Sequence, residues 1–262
     1  MNPTTIGLDL AKNVFQIHAT DARGKELFRK RLQRHQMAAF FAQQPPSIVA
    51  MEACASAHHW GRKLQDMGHS VRLIAPQFIK PYVKSQKNDA ADAAAICEAA
   101  SRPHMRFVAL KSVGQQSQLA LHTVRSGLVK QRTALSNQTR GLLAEFGVAL
   151  PQGLSHLRQA LPRLQQEPMG ELDTHMRPLL GMLEQQLRLL DEHIAQLERH
   201  IKQMANQDPC SVLLQQIPGI GPISASALAA SVGHARHFEN GRQMSAWLGL
   251  VPKQHSSGGK NV

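Results

Sequence analysis

Four carboxylates in this chain sit where carboxylates are either costly or grouped. Asp9 lies inside the apolar run Thr5-Ile6-Gly7-Leu8-Asp9-Leu10, and Glu52 lies inside Ser47-Ile48-Val49-Ala50-Met51-Glu52-Ala53-Cys54. A charged group in an apolar strand is unfavourable unless it is paired, hydrogen-bonded or metal-bound. Asp89 and Asp92 open an Ala-rich helical stretch three residues apart and so share one helix face. If the two strands are neighbours and the helix packs across them, all four converge. Their mutual repulsion then calls for a divalent cation, and hard oxygen ligands suit Mg2+ or Mn2+. Singly, Asp89 is explained by a helix cap and Asp9 by a turn. Together they are harder to explain so, because two of them occupy strand interiors.

A second candidate is the run Gly249-Leu250-Val251-Pro252-Lys253-Gln254-His255-Ser256-Ser257-Gly258-Gly259-Lys260. A serine hydroxyl attacks a phosphodiester when cations or a metal stabilise the developing charge, and Lys253 and Lys260 flank these serines. On composition alone, a plain Ser/Gly loop is the stronger reading. A third candidate is Ile217-Pro218-Gly219-Ile220-Gly221-Pro222 followed by a small-residue helix over 224–231. This pattern predicts a helix-hairpin-helix, in which Gly219 and Gly221 let the backbone approach a phosphate and the next helix offers its N–H groups. Two other chemistries lack support. The residues after Asp9 are Leu10-Ala11-Lys12, not the glycine-rich turn of actin-like ATPases. The 14 histidines, including His58-His59, His193 with His200 and His234 with His237, form no zinc-ligand framework with cysteine.

The elements that must hold these residues follow from the hydrophobic pattern. Strands are predicted over 5–10, 14–20 and 26–32, with a hairpin at Asp21-Ala22-Arg23-Gly24 between the last two. A short helix with Met37, Phe40 and Phe41, a strand over 47–54, a helix over 56–67, a strand over 69–75 and a helix over 89–100 complete a mixed α/β layer. Long helices follow from about residue 111. Leu180, Leu183, Leu187, Leu190, Ile194, Leu197, Ile201 and Met204 alternate spacings of 3 and 4, a heptad seam. A weaker seam runs through Leu121, Val124, Leu128, Leu135 and Leu142. The two seams pair either within the chain, as an antiparallel arm, or between subunits.

Composition bounds the function. The 262 residues, 42% apolar, suffice for one large or two smaller cored domains. Lys and Arg number 30 against 18 Asp and Glu, a formal charge of +12. Such an excess fits a polyanion binder better than a catalyst for small neutral metabolites. Between Glu98 and Glu145 no acid occurs, yet Arg125, Lys130, Arg132 and Arg140 fall there, and Lys80, Lys84 and Lys87 lie just upstream in another acid-free stretch. Such cations provide salt-sensitive phosphate contacts, whereas a solvated helix face usually mixes both signs. Three scattered cysteines (Cys54, Cys97, Cys210), no bilayer-length apolar run and no signal-peptide pattern predict a cytoplasmic protein with no membrane partner.

Taken in order, these motifs resemble one family from end to end of the chain. It is the Piv-type DNA invertases and DEDD insertion-sequence transposases, bridge-RNA-guided recombinases that pair a RuvC-like domain with a serine-bearing transposase domain. The matching pieces are Gly7-Leu8-Asp9-Leu10-Ala11-Lys12, Met51-Glu52-Ala53, Lys87-Asn88-Asp89-Ala90-Ala91-Asp92-Ala93, the hairpin over 217–222, and Trp247-Leu248-Gly249-Leu250-Val251-Pro252 leading to Ser257-Gly258-Gly259. The resemblance implies an α/β RNase H-like (RuvC-like) domain at 1–105, basic helices and a coiled-coil arm at 106–210, and a small α-helical helix-hairpin-helix, serine transposase domain at 211–262. It makes Asp9, Glu52, Asp89 and Asp92 a metal tetrad for Mg2+ or Mn2+, and Ser257 the nucleophile, with Ser256 its close competitor. Lys253 and Lys260 join the phosphate contacts. The implied partners are double-stranded DNA, a structured non-coding RNA and further copies of the chain, from dimer to tetramer. The family continues past the serine with another helix and basic residues, so a chain ending at Asn261-Val262 is expected to be short at its C-terminus.

Two alternatives come from other classes. One is a metal-dependent RuvC-like nuclease that uses water, with the serine loop incidental. The other is a non-enzymatic helix-hairpin-helix DNA-binding protein with structural carboxylates.

Overall fold

A computed structural model of the chain describes residues 4–83, 89–167, 170–233, 235–250, 256–257 and 260–261. Two compact units make it up: residues 1–112 together with 233–262, and residues 113–232.

The first unit is built on a six-stranded sheet. Strands β1 (Thr5–Leu10), β2 (Val14–Thr20) and β3 (Glu26–Gln33) form an antiparallel meander. Asp21 Oδ1 closes the turn between β2 and β3 by accepting the N–H groups of Arg23 (2.8 Å) and Lys25 (2.9 Å). Strands β4 (Ile48–Glu52) and β5 (Ser70–Ile74) add on in parallel, and the two-residue β6 (Phe107–Val108) adds antiparallel, for the order β3-β2-β1-β4-β5-β6. The first five strands lie where the apolar runs predict them. β6 escapes a pattern search because two residues carry no periodicity.

Alternation along these strands divides the side chains between two faces. Ile6, Leu8, Phe15, Ile17, Val49, Met51 and Leu73 pack on one side with Met37 and Phe41 of α1 (Met37–Ala42) and Trp60 and Leu64 of α2 (Ala57–Asp66). On the other side Ala50 and Ile74 pack with Ile79 of α3 (Pro76–Ile79) and Ala95, Ile96, Ala99 and Ala100 of α4 (Asp89–Ala100). The result is a mixed α/β layer consistent with the expected RNase H-like fold.

The second unit is helical: α5 (Val113–Glu145), α6 (Leu154–Gln166), α7 (Met176–Gln207), α8 (Pro209–Leu214) and α9 (Pro222–Val232). On α7 the seam behaves as its spacing predicts, with Leu180, Leu187, Ile194 and Ile201 buried. Arg125 of α5 pairs with Glu198 of α7, and Arg132 with Asp191. One heptad forward on α5 is thus one heptad back on α7, and the two helices pair antiparallel within the chain. The α5 seam needs correction. Val124 is 53% exposed and Leu142 38%, while Ser136, Thr139 and Leu143 are buried instead. Small hydroxyl residues can face a neighbouring helix if their polar atoms are satisfied, and the Thr139 hydroxyl donates to the Leu135 carbonyl at 2.8 Å.

Near the C-terminus, Asn240 caps α10 (Gly241–Trp247) by accepting the Gln243 N–H at 3.0 Å. Strands β7 (Ser256–Ser257) and β8 (Lys260–Asn261) then form a minimal hairpin. Among the described residues, no helix is long and apolar enough to cross a membrane.

Candidate active site

The β1–β4 register runs from Thr5 with Ile48 to Leu8 with Met51. The ladder ends there, and Asp9 and Glu52 are the next residue on each strand, so the two half-buried carboxylates fall on the same face of adjacent parallel strands. That face is the one covered by α4. A Cβ built on Gly7, two residues before Asp9, would lie 2.8 Å from the Cys97 nitrogen and closer still to the Ala93 carbonyl oxygen. Only glycine permits such an approach between a strand and a helix backbone.

Helix α4 runs against β1, because the Cys97 thiol reaches Thr5 O (3.8 Å) while Gly7 meets the Ala93–Cys97 turn. Two further strand residues advance about 6.7 Å, the rise of four to five helix residues. The first turn of α4, residues 89–92, is therefore level with Asp9. Asp92 is half-buried there. Asp89 begins the helix, and its side chain lies outside the described residues.

The electrostatics agree with this placement. Burial pushes the Cys54 thiol above its ordinary pKa, and the negative charges of Glu52 and then Asp9 push it further. Two carboxylate fields thus converge on one point just past the end of β4. Among the described residues, no group of three or more His, Cys, Asp or Glu side chains is close enough to hold a metal ion. Asp9, Glu52 and Asp92 are oxygen donors of the kind a hard divalent cation takes, on two neighbouring strands and the helix that covers them, but their side chains are not gathered around one point. Immediately downstream, Ser56 adopts φ 70°, the one non-glycine residue with positive φ among those described. Left-handed backbone at such a residue stores roughly 1–3 kcal/mol and occurs preferentially at functional sites.

Two residues on this face were not picked out from the sequence. Gln16 is the register partner of Asp9, and Arg31 is the partner of Gln16. A row Glu52, Asp9, Gln16, Arg31 therefore crosses four strands and ends in an exposed guanidinium. The polar positions in Val14-Phe15-Gln16-Ile17-His18 were the available signal, but only the hairpin register reveals their neighbours.

At the C-terminus, Ser257 pairs with Lys260 and Ser256 with Asn261. The side chains of these four paired residues lie outside the described set, as do Lys84, Lys87 and Lys253 altogether.

The 217–222 segment forms a turn between α8 and α9. Ile220 N–H donates to Ile217 O at 3.0 Å, and Gly219 sits at φ 87° after Pro218, a type II turn in which that position requires glycine. Gly219 and Gly221 are exposed, and a Cβ on either would meet open space.

The predicted cations divide into two groups. Lys80 and Lys130 are exposed. Arg125, by contrast, donates from Nε (2.9 Å) and Nη2 (2.5 Å) to Glu198 Oε1, and Arg132 Nη1 donates to Asp191 at 3.0 Å. Arg140 donates to Ser136 Oγ (3.0 Å) and to the Gly153 carbonyl. The charge of the acid-free stretch is thus offset partly by carboxylates from α7, which a local reading of 99–144 cannot see.

Comparison with known families falls on the same regions. Residues 6–147 match the IS110-type DEDD family model described as "Transposase", and residues 211–262 match the one described as "Transposase IS116/IS110/IS902 family". The "Probable family 20 transposase" of Pseudomonas aeruginosa is 53% identical over 99% of this chain and 77% of its own length. The "Transposase for insertion sequence element IS1328" of Yersinia enterocolitica is 45% identical over 100% of the chain and 77% of its own length. The "Transposase for insertion sequence element IS1111A" of Coxiella burnetii is 44% identical over 98% and 71% respectively.

Proposed function

This chain belongs to the IS110/IS116 family of insertion-sequence transposases, a class that cuts and rejoins DNA, and we propose that it does so through a serine–phosphate intermediate formed by Ser257. The observation that supports the reading is that Asp9 and Glu52 each follow the β1–β4 ladder by one residue, on the α4 face of adjacent parallel strands. Those two, with Asp92 and Asp89 from α4, would hold a divalent metal, Mg2+ or Mn2+, whose chemistry there is to polarise the phosphate and offset its developing charge.

The protein's own groups do the rest. The Ser257 oxygen bonds to phosphorus as the bridging P–O bond breaks, leaving a phosphoserine and a free DNA hydroxyl. The serine proton goes to a base and the departing oxygen takes one up. Attack by a second hydroxyl end reverses the sequence and rejoins DNA in a new connection, with the number of phosphoester bonds unchanged. Lys253 and Lys260 neutralise phosphate beside the serine. Gly219 and Gly221 let the α8–α9 turn approach a backbone phosphate. Lys80, Lys84, Lys87, Lys130 and the unspent donors of Arg125, Arg132 and Arg140 supply further phosphate contacts. The formal charge of +12 supports two polyanionic partners, double-stranded DNA and a structured non-coding RNA that selects sites by base pairing. Packing of the long helices between copies would build a dimer or tetramer.

The test is incubation of the protein with its element's DNA and RNA in Mg2+, followed by a denaturing gel. A covalent protein–DNA adduct is expected for the wild type and for Ser256→Ala, and none for Ser257→Ala, which keeps its DNA binding. Asp9→Asn should remain folded and lose cleavage. Mg2+-dependent nicking without an adduct would select the water-using nuclease instead.

A further inference from the structure

Between the β1–β2 turn, the end of β3 and helix α2 lies a groove of about 520 Å3 whose lining includes Asn13, Arg34, His35, His59, Trp60 and Lys63. Among the described residues, no carboxylate lines it. Its two permanent cations are held from below. The Arg34 guanidinium lies 5.7 Å from the Trp60 ring centroid and 5.8 Å from that of Phe15, and Lys63 Nζ lies 5.4 Å from Trp60. Phe15 and Trp60 are themselves buried and meet edge to face at 5.6 Å. Seating over an aromatic face fixes a cation without neutralising it. Arg34 also donates one N–H to the Lys12 carbonyl at 3.2 Å, which further restrains the planar guanidinium.

Positive potential accumulates around the groove. Burial lowers the His59 pKa, and the remaining causes are the cations Lys63, Arg62 and Arg34. Restrained, unneutralised cations around an open polar groove suit the oxygens of a phosphodiester. The groove also lies at a telling end of the sheet. Its aromatic floor belongs to the α2 face and Asp9 to the α4 face, but Asn13 follows Asp9 by only four residues, at most about 14 Å of chain. A strand rounding this end of the sheet therefore passes from one to the other in no more than about four nucleotides.

We propose that this groove clamps the DNA backbone within about four nucleotides of the phosphate that reaches Asp9 and Glu52, with Arg34 and Lys63 as the phosphate-contacting residues. The proposal rests on the reading of this chain as a DNA-cutting enzyme but is read out by binding alone. The experiment measures affinity of the full chain for a 30-base-pair duplex by fluorescence anisotropy across salt concentrations, in EDTA. An RNA hairpin of equal charge serves as a second arm.

Arg34→Gln/Lys63→Gln should flatten the slope of log affinity against log salt for DNA by about 0.9 per lost contact, or up to about 1.8. Asn13→Asp removes no cation and sets a carboxylate at the groove, so it should weaken DNA binding several-fold. Arg23→Gln/Lys25→Gln removes two exposed cations from the turn at the opposite end of the sheet and should leave the slope unchanged. An unchanged slope in the groove variant, an equal drop in the distal one, or a loss confined to the RNA arm would overturn the clamp. Adduct formation by a wild type whose groove variant binds normally would leave the catalytic reading intact and remove only this one.

Discussion

Adding one methyl group at Gly7 tests whether the seating of α4 governs the site. In Gly7→Ala the new Cβ would lie 2.8 Å from the Cys97 nitrogen, where ordinary contact begins near 3.4 Å, and it would press harder on the Ala93 carbonyl. Both neighbours are helix backbone, so no rotamer change relieves the overlap. The helix must retreat by about 0.6 Å or more, and the retreat tilts the turn that carries Asp89 and Asp92. Overpacking of this kind costs about 1–3 kcal/mol, a fall of about 3–10 °C in the melting temperature of a unit this size. A displacement near 1 Å in a catalytic constellation costs about 100-fold in rate. The expected result is therefore a folded protein, by circular dichroism at low temperature, with strand cleavage down by about 100-fold or more. The controls are Gly127→Ala and Gly141→Ala on α5, where a Cβ meets open space. Each should stabilise its helix by about 0.5–1 kcal/mol and leave cleavage unchanged. A Gly7→Ala protein that melts and cuts like the wild type would refute the claim that close helix–strand contact positions the carboxylates.

Further outcomes follow from the side-chain environments. His58 Nδ1 accepts the Lys111 N–H at 3.2 Å, and burial, then the charges of Lys111 and Arg62, lower its pKa from 6.5 to about 4. Between those values the unfolded chain binds the extra proton, so this contribution to stability is complete above about pH 6.5 and is lost as pH falls toward 4. His58→Gln should flatten that decline in thermal melts, and parallel curves would count against it. Arg125→Gln leaves Glu198 half-buried without its cation and should destabilise by about 1 kcal/mol, read by urea unfolding. Lys130→Gln, at an exposed position, should leave unfolding unchanged and reduce the salt slope of DNA binding by up to about 0.9. The reverse pattern would mean that the ion pair, not the exposed lysine, faces the nucleic acid.

The legible parts of this fold are those in which local pattern and tertiary role coincide. The strands carrying Asp9 and Glu52 could be read because alternation and apolar runs persist whenever a strand is buried on both faces. Helix α4 was found over its full length, 89–100, because alanine tolerates no other regular assignment so readily. The α7 seam survived because its apolar residues alone define the buried stripe. The α5 seam did not, since Ser136 and Thr139 face inward and Val124 outward. Hydrophobicity is a poor guide where hydroxyls satisfy themselves against their own helix. Gln16 and Arg31 were invisible for another reason. Their role comes from strand register, which depends on where a hairpin turns and not on the residues themselves.

The charge argument shows the same boundary between local and tertiary information, with a consequence for where nucleic acid sits. A window of sequence counts cations but cannot assign their partners, and the window over 99–144 looks uncompensated only because its carboxylates arrive from residues 191 and 198 on α7. A guanidinium already bonded to a half-buried carboxylate offers a phosphate only its remaining donors and a charge already largely offset, so part of the Coulomb gain is cancelled. A cation over an aromatic ring keeps its full charge and most of its donors. By that criterion Arg34 and Lys63, which lie outside the 99–144 window, are better placed to hold a strand than Arg125 or Arg132. They also lie at the end of β1 that carries Asp9. Salt dependence should therefore follow the exposed and ring-seated cations, not the density of Lys and Arg along the chain.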